Sequence, residues 1–77
     1  MLKLDIEWKI TGPLAHRATL YALQEAVEKA SCLAEAADKI RLIPRLCVYR
    51  SGDHLAVHEV VGNQMGTQRL ALITNGG

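Results

Sequence analysis

The residues best suited to chemistry lie close together between positions 51 and 61. His58 follows His54 after four residues, and each has a carboxylate beside it, Glu59 and Asp53 respectively. On a helix, two histidines with this spacing share one face and could hold a metal ion between them. The chemistry of this group therefore depends on the secondary structure that positions it.

The local pattern favours a hairpin over a helix. Residues 46–50 and 55–61 are short runs typical of strands, and Gly52-Asp53 between them has the glycine-first order of a two-residue type II′ turn. Along a strand, four residues span roughly 13 Å, so the two histidines are poorly placed to bind one ion. We therefore expect no metal ligand and no catalytic residue here, with His54 at the turn.

The hairpin register predicts a different pair of reactive side chains. If Ser51 is opposite His54, then Cys47 is opposite His58, with Cβ atoms roughly 5 Å apart. A thiol and an imidazole at this range could act as nucleophile and base. Alternatively, two copies of the chain could together provide two cysteines and two histidines as ligands for one zinc ion. The favoured interpretation is a cross-strand pair without chemistry, because the neighbouring sequence supplies neither an orienting third group nor an oxyanion site.

Composition limits the class of protein. The chain of 77 residues fits a single domain over 1–77, with a frayed tail at 75–77. The net charge of +1 argues against strong binding to polyanions, although residues 39–50 contain four basic residues and no acidic one. The two cysteines form no recognisable ligand or disulfide framework, and no signal peptide or membrane span is apparent. We expect a cytoplasmic protein with free thiols, no cofactor and no membrane contact.

The first strand has the clearest pattern of the chain. Apolar and charged residues alternate from Leu2 to Ile10, which predicts a strand with one solvent-exposed face and with Trp8 buried beneath a helix. Residues 14–39 then follow a helical period. Their apolar stripe consists of Leu20, Leu23, Val27, Ala30, Ala34 and Ala37. A helix of this length would overrun the strand beneath it, so we expect a bend or break near residues 30–32.

A last strand at 68–74, after a turn over 62–67, completes the order β-α-β-β-β. The predicted fold is α+β, with one long helix, expected to bend or break near residues 30–32, packed on a four-stranded, mostly antiparallel sheet. This order resembles the cystatin-type arrangement, in which a sheet cradles a helix. The resemblance concerns topology alone and implies no activity.

The sheet face opposite the helix supports the leading functional hypothesis. Both sides of the hairpin and of the last strand are apolar, so a single helix would leave one apolar face uncovered. The residues predicted on this face are Tyr49, Ala56, Val60, Ala71 and Ile73. We expect a small non-enzymatic interaction module that forms a homo-oligomer through them, with a dimer favoured. A foreign protein could occupy the same face.

The alternative hypothesis is a nucleic-acid-binding protein. The residues that would stack on bases and contact phosphates are Arg45, Tyr49, His58 and Arg69. Asp5 and Glu7 on the same face, the single aromatic residue and the near-neutral net charge make this the weaker hypothesis. A small enzyme whose site forms between chains comes third, and we assign no catalytic residue to it.

Overall fold

The computed structural model describes residues 2–7, 17–60 and 67–76, and the structural statements below concern these residues. Their elements are β1 (Leu2–Ile6), α1 (Arg17–Lys29), α2 (Leu33–Arg41), β2 (Leu46–Ser51), β3 (His54–Val60) and β4 (Thr67–Asn75). The fold is α+β, as predicted, but two helices stand where one long helix was expected. The prediction that Trp8 is buried falls outside the described residues.

The helical region is interrupted at residues 30–32, where the sequence predicts a bend or break. α2 begins after Cys32, whose extended backbone (φ −154°, ψ 169°) cannot continue a helix. The break shifts the phase of α2, so the placement of Ala34 on the apolar stripe was wrong and this residue is exposed. The buried residues of α2 are Leu33, Ala36, Ala37 and Ile40. One helical period cannot be carried across non-helical residues.

The strands form one antiparallel sheet in the order β1-β4-β3-β2. The hairpin of β2 and β3 has the predicted register, with Ser51 opposite His54 and Cys47 opposite His58. Gly52 has a φ of 60° whereas the φ of Asp53 is not positive, which matches a type II′ turn. Because β1 pairs with β4, the strands β1 and β2 are the two edges of the sheet.

The placement of Ala71 and Ile73 on the face opposite the helices was wrong. These residues pair with Val57 and Leu55, and all four side chains are 0% exposed in the core. The sequence 70–73 is apolar at every position, so its alternation does not indicate which side is buried, and the pairing with β3 decides instead. A bulge at Leu70, between the pairs Val57–Ala71 and His58–Arg69, buries this leucine as well.

The core lies between the helices and one face of the sheet. Its largest fully buried side chains are Leu23, Ile40, Leu55, Val57 and Ile73. No polar side chain of the described residues is buried, so aliphatic burial is the main stabilising contribution, as the scarcity of aromatic residues predicts. β4 continues to Asn75, which pairs with Leu2, so the sheet includes the first residue of the expected frayed tail.

Candidate functional site: the open face of the sheet

The open face is the side of the sheet turned away from α1 and α2. Its members alternate along each strand with the buried residues that contact the helices. They are Lys3, Asp5 and Glu7; Arg69, Leu72 and Thr74; His54, Ala56, His58 and Val60; and Cys47, Tyr49 and Ser51. Both described helices pack on the opposite side, so neither covers this face.

The part of the open face near β1 is charged and internally neutralised. Arg69 Nη2 donates to Glu7 Oε1 at 2.6 Å across the β1–β4 pairing, and Lys3 Nζ lies 4.0 Å from Asp5 Oδ2. These side chains remain substantially exposed, so water screens the pairs. This part of the face suits contact with solvent.

The part of the open face on β2, β3 and the adjoining β4 is different. We call its apolar members, Cys47, Tyr49, Ala56, Val60 and Leu72, the apolar patch. Tyr49 is 53% exposed and is among the exposed large hydrophobic residues of the described chain, and the other members are partly exposed. The patch contains three of the five residues predicted for the interface, and Leu72 takes the place of Ala71 and Ile73. The pairing of Leu72 with Ala56 identifies it, but that pairing becomes known only with the register of β4.

His58 lies in the middle of the apolar patch. It is opposite Cys47 on one side and Arg69 on the other, and its ring meets the ring of Tyr49 edge to face, with centroids 5.0 Å apart. Such an aromatic contact orients both rings. The contact favours one orientation of Tyr49 while leaving much of its ring exposed.

The structure separates the candidate reactive groups into two places. Cys47 and His58 are adjacent, as the register predicts, and both cysteines are free thiols. His54 lies at the turn, with Nδ1 3.8 Å from Oδ1 of the exposed Asp53. Within the described ranges, no group of three or more His, Cys, Asp or Glu side chains could hold a metal ion. Any role of Cys47 and His58 in catalysis or metal binding would need further groups from elsewhere.

The residues of the nucleic-acid hypothesis are only partly brought together. Tyr49, His58 and Arg69 share the open face, but the charge of Arg69 is paired with Glu7. Arg45 lies in the turn just before β2, where its guanidinium donates to Val60 O at 3.1 Å. A phosphate approaching Arg69 would also meet the carboxylates of β1, which reduces the attraction.

The chain matches no protein-family model, no curated protein and no solved structure. Among the described residues, no helix is long and apolar enough to cross a membrane. Support for a function therefore comes from the geometry of the open face itself.

Proposed function

We propose that the protein is a small non-enzymatic interaction module that self-associates, as a homodimer in the cytoplasm, through the apolar patch. The observation that supports this most strongly is the position of Tyr49, half-exposed among Ala56, Val60 and Leu72 on a face that neither described helix covers. An apolar patch of this kind is typical of an interaction surface.

A two-fold dimer with the sheets packed face to face would bury the apolar patch of each copy. Two sheets packed face to face lie about 10 Å apart, close enough for the two patches to bury one another. The ion pairs near β1 would remain outside the contact, where they need not lose their hydration. A domain of this size buries little surface of its own, so burial between two copies would also stabilise the fold.

The proposal is tested by measuring mass in solution with light scattering and sedimentation. The wild-type chain should be a dimer at micromolar concentration, and Tyr49→Asp or Val60→Asp should give a folded monomer, because a buried unpaired carboxylate is costly. Tyr21→Asp is the matched control, since Tyr21 is 63% exposed on α1. Glu28→Lys, also on the helical surface, should leave the dimer intact.

Two outcomes would contradict this proposal. A stable wild-type monomer would exclude self-association and leave the apolar patch for a foreign protein. A dimer that survives Tyr49→Asp and Val60→Asp would place the contact on another surface. A salt titration against single-stranded and duplex nucleic acid tests the alternative, since steep weakening with salt is the signature of phosphate contacts.

A further inference from the structure

The two edges of the sheet differ in how they are protected. β1 alternates apolar residues with Lys3 and Asp5, and charges at an edge discourage pairing with another strand. β2 has the apolar run Leu46–Tyr49 before its first charged residue, Arg50. No described strand pairs with its outer side. β2 is therefore the edge that offers an unprotected template for an added strand.

The hydrogen-bonding pattern of the hairpin determines which backbone N–H and C=O groups of β2 are free to bind an added strand. Ser51 and His54 flank the two-residue turn, so they exchange hydrogen bonds, and alternate residues of β2 repeat this pattern. Arg45 O, which is in the same phase, accepts from Val60 N–H at 2.9 Å. The N–H and C=O groups of Val48 and Arg50 therefore point away from β3, toward the open side of the edge.

Two arginines lie near the two ends of this template. The exposed guanidiniums of Arg45 and Arg50 donate to backbone oxygens, Val60 O at 3.1 Å and Gly52 O at 3.5 Å. Neither has a carboxylate of the described residues within ion-pair distance, in contrast to Arg41 and Arg69. Four residues lie between Arg45, in the turn just before β2, and Arg50, within β2. The backbone of Arg45 is left-handed, with a φ of 70°, so strand alternation does not set the direction of its side chain.

We propose that the β2 edge binds an extended, acidic segment of another protein as a fifth strand, with Val48 and Arg50 making the backbone hydrogen bonds and Arg45 and Arg50 pairing with carboxylates at its two ends. In such strand addition, the main chain contributes affinity and the side chains contribute specificity. A segment with an acidic residue at each end can place one carboxylate near Arg50 and the other beyond the start of β2, near Arg45.

Charge selects this occupant over the two others that the edge could receive. Pairing between two copies of β2 would bring Arg45 or Arg50 of one copy near Arg50 of the other, and like charges on neighbouring strands are destabilising. A nucleic acid would match the charge but cannot supply the alternating N–H and C=O groups that a strand edge binds. The β2 edge binds through outward-pointing backbone groups, whereas the apolar patch acts through side chains on the open face, so this inference does not depend on self-association.

The test uses the full chain labelled with ¹⁵N and two capped synthetic peptides, ETVTVE and KTVTVK. The acidic peptide should bind and slow the hydrogen exchange of the Val48 and Arg50 amides, whereas the basic peptide should not bind. Methylating the acidic peptide on the alternate amide nitrogens that face β2 should abolish binding without any change to the protein. Added salt should weaken the interaction.

Variants of the two arginines test whether their charges contribute to peptide binding without a change in folding. Arg45→Gly and Arg50→Gln should each lower the affinity for the acidic peptide by about fivefold, which is the loss expected for an exposed ion pair. Arg45 has a φ of 70°, which glycine adopts without strain, so Arg45→Gly should not impair folding. Arg17→Ala changes net charge equally on α1 and should leave the affinity unchanged.

Three results would overturn the inference. Binding that survives N-methylation would show that no strand is added. Equal binding of a single-stranded oligonucleotide would show that charge alone attracts the ligand. Val48 and Arg50 amides already protected in the free protein, with protection that increases with protein concentration, would assign the edge to a second copy of the chain.

Discussion

The two halves of the sheet share one architecture but differ in how their polar and apolar residues are distributed. On β1, apolar side chains face the helices and charged ones face solvent, and the Glu7–Arg69 pair continues this arrangement onto β4. On β2 and β3, both faces carry apolar residues, including Tyr49 and Val60 on the open face. Strict alternation thus defines both the buried side and a non-adhesive surface. Its loss on β2 and β3 is the basis of the proposed self-association.

The largest expected effect tests which side of β4 belongs to the core. Ile73→Ala should lower the free energy of unfolding by about 2–5 kcal/mol, because Ile73 is 0% exposed and its removal leaves a cavity. Leu72→Ala, next to it but on the open face, should cost the monomer clearly less. Denaturant unfolding of both variants, in conditions that keep the chain monomeric, measures the difference. Equal losses would contradict the register of β3 and β4.

The β2–β3 hairpin and β4 differ in how far their pairing could be predicted from the sequence. The turn at Gly52-Asp53 fixes the register of β2 and β3, so the pairing of Cys47 with His58 was predictable from local chemistry. No two-residue turn motif in the sequence fixes the register of the apolar run 70–73, and the bulge of β4 leaves no signal in the sequence. Which side of β4 faces the helices is determined by its long-range pairing with β3. The strand order is also determined by long-range pairing, because the sequence of β1 does not indicate which strand it pairs with.

The next effect in size compares the two halves of the open face directly. Val60→Asp places a charge in the apolar patch and should raise the dissociation constant of the proposed dimer by about a hundredfold or more, since a buried unpaired charge costs several kcal/mol. Lys3→Glu changes a charge in the β1 half and should have little effect. Sedimentation over a concentration series measures both constants. A similar response to both substitutions would show that the two halves are not functionally different.

A smaller effect concerns the cross-strand pair of Arg69 and Glu7. A double-mutant cycle with Arg69→Gln and Glu7→Gln should give a coupling energy of about 0.5 kcal/mol, because both side chains are substantially exposed. The coupling should decrease with added salt. Single-stranded nucleic acid should not bind more tightly to Glu7→Gln than to the wild type. Tighter binding would mean that Glu7 masks a phosphate-binding Arg69.

The smallest effect is expected at the Glu25–Lys29 pair on α1, which serves as a reference for an ion pair outside the sheet. Lys29 Nζ donates to Glu25 Oε1 at 2.6 Å. This hydrogen bond and the attraction of the opposite charge lower the pKa of Glu25 and raise the pKa of Lys29. A lowered carboxyl pKa stabilises the fold above the pKa of the unfolded chain, and this contribution is lost as the pH falls through the folded value.

The stability contributed by this ion pair should depend on pH in opposite directions for Glu25 and Lys29. Glu25→Gln should be slightly less stable than the wild type at neutral pH, and the difference should vanish in strong acid, where Glu25 is protonated in both states. The contribution of Lys29 should likewise vanish in strong alkali, as the pH rises through its raised pKa. Thermal melts of both proteins across this range measure the effect. A difference that persisted in acid would come from helix propensity or packing, and the pair would then no longer serve as the electrostatic reference for Arg69 and Glu7.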